Sequence, residues 1–209
     1  MRSSTERGHI STEADQLRKI IAYLATSIDG FIARPNGAVD WLDRPRPRGN
    51  YGMSAFMRSI DTLVMGRATY EIGLELGGGV WPGKRNIILS RTLSLDSVKG
   101  AIVESGDAAD LASRWRSEPG SDIWLMGGAV VFGEFLDAGA IDELMIHVVP
   151  VAIGTGIPLF DPKPRTSEMS LLSVKKFTDG VVLLHYAAGG DQETWPAVKR
   201  PRAKKKKSA

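Results

Sequence analysis

The chain reads as an α/β protein, a three-layer sandwich on a mostly parallel twisted sheet of about eight strands that finishes in an antiparallel C-terminal hairpin. Three observations predict this fold. Short apolar segments alternate with helical patterns through most of the chain, which favours parallel strands joined by crossover helices over a β-sandwich or a helix bundle. The 209 residues are 43% hydrophobic, enough for one well-buried domain. Near the end, SLLSVKKFTDGVVLLHYA holds two apolar β-rich runs joined by Asp179-Gly180, a two-residue hairpin signal because glycine tolerates positive φ.

In chain order, the apolar run near 19–27 opens the sheet. Arg44 to Gly52, RPRPRGNYG, is rich in Pro, Gly and Arg and reads as a mobile surface loop before a short helix near 52–60. Apolar runs near 62–66, 85–90, 101–103, 122–127 and 142–149 supply further strands, and helical spacing near 68–76, 107–117 and 129–138 fills the intervals. The hairpin strands fall near 171–178 and 181–187. Residues 1–18 form a polar leader without the apolar core of a secretory signal, and no run approaches a membrane span, so a cytoplasmic protein is expected.

There is no cysteine, which excludes disulfides and thiolate chemistry. The net charge of +3 is unevenly placed: residues 191–209 carry seven Lys/Arg against two Asp/Glu, leaving −2 for residues 1–190. The basicity therefore belongs to a tail, 189–209, expected to be disordered and solvated. Contact with nucleic acid would be limited to nonspecific phosphate binding by its lysines.

Three segments share one design. TLVMGRATYE places Gly66, Arg67 and Thr69 after a strand, NIILSR places Ser90 and Arg91 after Leu89, and IWLMGGAVVF places Gly127 and Gly128 after Met126. Ligands of parallel α/β sheets bind outside the carboxyl ends of the strands, so the three sets converge on one edge. Glycines let backbone N–H groups approach a phosphate, a helix N-terminus adds unpaired donors, and arginine adds a fixed fork of donors. A ligand with several phosphates fits this chemistry, although neither the GxGxxG nor the GxxxxGK[ST] signature is present.

Taken in order, ATSIDGFIA, VMGRATYE, ILSR, LMGGAVVF and IDELMIHVVPVAIGTGIPLF resemble the dihydrofolate-reductase-like superfamily, including the reductase domain of riboflavin biosynthesis proteins, over about residues 19–188. The resemblance implies that Ala25, Asp29, Gly30 and Ile32 flank a nicotinamide. It places Arg67, Ser90 and Arg91 by an adenosine 2′-phosphate, with Gly66 and Leu89 at the same strand ends. Thr69 opens the helix under the phosphates, and Met126, Gly127, Gly128, Ala129, Val130 and Val131 hold the pyrophosphate and nicotinamide side. With no acid in GRATY or LSRT to bind a free ribose hydroxyl, NADPH is expected over NADH.

The substrate side departs from dihydrofolate reductases, which carry a carboxylate early in the helix after the loop. NYGMSAFMRSI has no acid, so folate reduction is not expected. Asp40 is the candidate proton donor, with bound water as the alternative, and Asp43 lies nearby. Trp41, Met53, Phe56, Met57 and Trp81 are candidate walls for a substrate ring. His147 and His185 lie in strands and read as satisfied sheet histidines, and no histidine pair has metal-ligand spacing. The expectation is an NADPH-dependent reductase of a small heterocyclic or carbonyl substrate, acting as a homodimer. A noncatalytic module holding a nucleotide or flavin-like ligand is the alternative.

Overall fold

The computed structural model describes residues 17–94 and 98–189. The expectations for the leader and the basic tail fall almost wholly outside the described residues. Ten strands and four α-helices follow in the order β1 (Ile20–Ser27), β2 (Phe31–Ala33), α1 (Met53–Ser59), β3 (Ile60–Gly66), α2 (Arg67–Glu75), β4 (Arg85–Leu89), β5 (Ile102–Glu104), α3 (Ala108–Ser117), β6 (Asp122–Gly127), α4 (Ala129–Asp137), β7 (Glu143–Val149), β8 (Ile157–Pro158), β9 (Met169–Lys176) and β10 (Val182–Ala188). Short 3-10 turns cover Asp40–Leu42 and Asn50–Gly52.

The main sheet has eight strands in the order β5-β4-β3-β6-β1-β7-β10-β9. Pairs from β5 to β7 are parallel, and β7–β10 and β10–β9 are antiparallel, as the sequence predicts. Right-handed crossovers decide which face each helix covers. The connections that step toward β5 carry α1 and α2, whereas those that step toward β7 carry α3 and α4. Accordingly Phe56 of α1 and Tyr70 of α2 pack with Ile21, Tyr23, Leu63 and Trp124 on one face. Trp115 of α3 and Phe132 and Phe135 of α4 pack with Ile20, Ala22, Val64 and Leu125 on the other. Alternate residues of β1 thus enter opposite cores, and Ile20 and Ala22 are wholly buried.

Two features differ from the sequence expectation. Phe31–Ala33 and Ile157–Pro158 form a second, two-stranded sheet, too short to give a periodic signal. The C-terminal hairpin is closed by Phe177 N–H on Val181 O at 2.8 Å, so its loop has three residues, Thr178 to Gly180, rather than two. Gly180 at φ +89° takes the left-handed position that ends such a loop.

Candidate nucleotide and substrate site

The carboxyl ends of β4, β3 and β6 lie side by side, with Gly66 opposite Leu89 and Met65 opposite Gly127. Helices α2 and α4 begin immediately at these ends. Their N-caps are Gly66 and Gly128, and neither has a side-chain cap or an acid in its first turn. Helix α3, which starts after β5 at the outer end of the same edge, is built differently: the Asp107 carboxylate accepts from Ala109 N at 2.8 Å and Asp110 N at 3.4 Å. The chain thus caps α3 and leaves the first-turn amides of α2 and α4, those of Ala129, Val130 and Val131 included, to other acceptors.

The glycines bring these starts into contact. A Cβ on Gly66 would lie 2.9 Å from Val131 Cγ2, so α4 approaches β3 more closely than a side chain allows. A Cβ on Gly128 would meet Thr69 Oγ1 at 3.3 Å and Ile32 Cδ1 at 3.9 Å. Gly127 has φ +97° and a cis bond to Gly128. Gly66, Thr69, Gly127, Gly128, Val131 and Ile32, drawn from three separate segments, are thus one locus. Met126 turns to the face of Trp124, and Val130 is exposed.

Arg67 leads α2 into solvent, where Nε donates to Glu71 Oε1 at 2.6 Å and NH1 donates to Thr92 Oγ1 at 2.9 Å. Ser90 Oγ accepts from Thr92 N at 3.2 Å and Leu93 N at 3.0 Å, which shapes the turn that carries exposed Arg91. Arg67 and Ser90 are therefore brought together through Thr92. Glu71, one residue beyond GRATY, supplies the acid that the sequence argument for NADPH took to be absent. Its carboxylate is already engaged by Arg67.

Other predicted residues lie elsewhere in the site or serve the loops. Ala25 is half-buried near the end of β1, directly across from His147. Asp29 is engaged by the loop past β7: its carboxylate accepts from Ile153 N at 3.1 Å and Gly154 N at 2.8 Å, joining the turn through Gly30 after β1 to that loop. A hydrogen bond from Ser27 and these amides hold it below the usual carboxylate range. Asp40 is exposed and paired with Arg34 at 2.6 and 2.9 Å, and this pairing keeps its carboxyl low and ionised. A carboxylate held in this way carries no proton to give at neutral pH, so the assignment of Asp40 as donor lacks support from its surroundings.

The expected substrate walls divide into two groups. Met53, Phe56, Met57 and Trp81 gather around Tyr23 and Trp124 on the α1 face. Trp41 instead packs with Ala25, Tyr51, Val149, Phe177 and Val181. Buried Asn86 fixes Trp81, accepting from its backbone N at 2.9 Å and donating to its backbone O at 3.0 Å. Lys84 Nζ donates to the carbonyls of Met57 and Ile60 and so ties the same loop to the end of α1. Asn86 gave no sequence signal beyond a polar residue in an apolar strand. A cleft of about 500 Å³ opens between α1 and the β7–β10 part of the same face, lined by Tyr23, Tyr51, Phe56, Met145, Lys175 and Leu183 among others.

A parallel sheet whose strand ends meet two open helix starts, with an apolar face alongside, defines the dihydrofolate-reductase-like class. Within it the chain belongs to the RibD C-terminal domain family, which it matches over residues 18–183. It is 37% identical over 171 residues to the uncharacterized protein YwjB of Bacillus subtilis, covering 81% of this chain and 97% of that one. A crystal structure of a protein from Shewanella sp. PV-4 assigned to riboflavin biosynthesis matches at 28% identity with a TM-score of 0.73, covering 81% and 98% of the two chains. The dihydrofolate reductase of Enterococcus faecalis, complexed with NADP(H), shares the fold at 19% identity and a TM-score of 0.55, covering 82% and 97%. These relationships place the chain in that family and fold. Among the described residues no helix is long and apolar enough to cross a membrane.

Proposed function

We propose that the chain is an NADPH-dependent reductase that reduces a C=N or C=O carbon of a small heterocyclic or carbonyl substrate. The pterin and ribosylaminopyrimidine classes fit best, as in a 5-amino-6-(5-phosphoribosylamino)uracil reductase. Folate itself is disfavoured because α1, Met53–Ser59, carries no acid. The observation that carries the reading is the pair of uncapped helix starts at adjacent strand ends, with Thr69 and Gly128 in contact range between them. Such a site suits a pyrophosphate, since unpaired amides and helix dipoles both favour concentrated negative charge. Arg67 and Arg91 suit the remote phosphate, and Ala25 and Ile32 offer small apolar contacts for a nicotinamide.

When bound, the reduced nucleotide would supply the hydride. The chain's own work is to seat the phosphates, to hold the acceptor ring against Ala25 and the aromatic face, and to exclude water. The test is a titration of NADPH and NADH followed by tryptophan fluorescence, then a screen of NADPH oxidation against pterins, ribosylaminopyrimidines, quinones and small carbonyl compounds. Binding in the micromolar range with oxidation of one class is expected. Absence of binding at millimolar nucleotide sinks the reading, and binding without any oxidation favours a noncatalytic ligand-binding module, which the missing acid in α1 also favours.

A homodimer belongs to the same proposal. Edge strand β9 exposes Leu171, Leu172 and Val174, each more than half accessible, and an apolar edge strand left in water invites pairing. Sedimentation of the intact protein is expected to give twice the 22.6 kDa chain mass. Leu172→Lys should shift it toward the monomer, and a monomeric wild type contradicts the assignment.

A further inference from the structure

Arg34 occupies the Asp40 carboxylate, but another proton source, Tyr23, lines the cleft between α1 and β7–β10. Tyr23 stacks on Phe56 with ring centroids 4.3 Å apart and meets Trp124 edge-on at 5.9 Å. Its hydroxyl lies 3.4 Å from His147 Nε2, and both side chains are 5% exposed. His147 stands directly across from Ala25 in the β1–β7 register. Tyr23 precedes Ala25 by two residues, about 6.8 Å along the same face of the strand, a gap that a tyrosine side chain spans. The hydroxyl is therefore carried toward the level of Ala25, and Tyr23 itself lines the cleft between α1 and β7–β10.

Aromatic groups ring this pair. From β7 comes His147 itself, and from the segment after β9 comes Phe177, with Lys175 Nζ 5.1 Å from its ring centroid. From the loop comes Tyr51, 5.7 Å from His147, held at φ 59° in a run of four left-handed residues, Gly49 to Gly52. The Tyr51 hydroxyl donates to Asp179 Oδ2 at 2.5 Å, and Arg44 donates to Asp179 O at 3.0 Å. Lys19, Asp122 and Glu143 line the far end of the cleft. Asp179 is thus the nearest carboxylate in this sequence of contacts, and the Tyr51 phenol stands between it and His147. A left-handed non-glycine pair costs energy that the surrounding contacts must offset, and it serves here to lay Tyr51 over His147.

We propose that the Tyr23 hydroxyl, hydrogen-bonded to His147, is the acid that delivers the proton in the reduction. The inference rests on the reductase reading above. A bound reduced nicotinamide nucleotide would supply the hydride to the carbon of C=N or C=O; the Tyr23 O–H bond breaks, and its proton forms the N–H or O–H of the product. The electron pair remains on the phenolate, which His147 stabilises as a donor until water in the cleft restores the proton. Burial pushes Tyr23 up to about 12 and His147 down from its ordinary value, so at neutral pH the pair enters the reaction uncharged with its protons in place. A phenol in that range is still a far stronger acid than the alcohol or amine formed when it protonates the alkoxide or amide anion.

The test uses Tyr23→Phe and His147→Gln in the full chain, with 3,4-dihydroisoquinoline at alkaline pH as a neutral imine and its N-methyl iminium salt as an acceptor that needs no proton. Tyr23→Phe is expected to keep NADPH affinity within twofold and to shift the ¹⁵N resonance of the His147 ring in the nucleotide-free protein. It should lower the rate with the neutral imine by about 100-fold, the lower range of general acid catalysis. The iminium salt should be reduced at the wild-type rate. His147→Gln should show the same pattern with a smaller loss. Should Tyr23→Phe fail to fold, 3-fluorotyrosine at position 23 keeps the shape and must change the solvent isotope effect on the neutral imine. Equal losses on both acceptors, or no loss on either, overturn the assignment while leaving the reductase reading in place. Failure of the wild type to bind NADPH overturns both, whereas NADPH binding without reduction of either probe overturns the proton-donor assignment alone.

Discussion

Gly128→Val is expected to weaken NADPH binding by at least 100-fold while the protein keeps its fold and its melting temperature to within a few degrees. Gly128 has φ −70° and ψ −154°, outside the left-handed region that favours glycine, so the expected effect comes chiefly from space. Its Cβ would already stand 3.3 Å from Thr69 Oγ1, and the two further methyls of valine would enter the gap between Thr69 and Ile32. That gap is where an anion must come to reach the first amides of α4. A hundredfold change corresponds to about 2.7 kcal/mol, the size of one or two charge-assisted hydrogen bonds withheld. Fluorescence titration measures the affinity and circular dichroism the fold. Unchanged affinity in a folded variant would make the glycine a packing device only.

The double variant Arg67→Ala with Arg91→Ala is expected to raise the dissociation constant for NADPH by tenfold to about a hundredfold and that for NADH by no more than about twofold. The lower end reflects exposure, since both arginines reach into solvent, where charge contacts are screened. It also reflects Glu71, which occupies the Nε edge of Arg67 and would face a 2′-phosphate with like charge. Glu71→Gln should accordingly tighten NADPH and leave NADH almost unchanged. Equal losses for the two nucleotides in the double variant would remove these arginines from 2′-phosphate recognition.

The sequence exposed those parts of the protein in which a residue type carries its own geometry. Apolar runs gave all eight strands of the main sheet, and the Asp179-Gly180 pair located the C-terminal turn, although not its three-residue length. The glycine pair pointed to the strand end at which α4 begins. What stayed hidden depends on distant partners. Ser27, Ile153 and Gly154 determine how Asp29 is used, and Arg34 determines how Asp40 is used. Tyr23 and His147 lie 124 positions apart, and each alone is an ordinary strand residue. The Met53–Met57–Trp81 group and Trp41 looked alike as aromatic or sulfur-bearing residues. Only packing against different strands separates them.

The bare amide groups at the start of α2 and α4 have a further consequence for the energetics of the whole domain. Without an anionic ligand, the donors at two neighbouring helix ends must be satisfied by solvent, so part of the stability of the central strands is deferred until a ligand arrives. Occupancy and folding are then linked quantities: a ligand at one hundred times its dissociation constant adds about 2.7 kcal/mol to the free energy of unfolding. If the proposed nucleotide is the ligand, heat resistance is expected to rise with the supply of nucleotide around the protein.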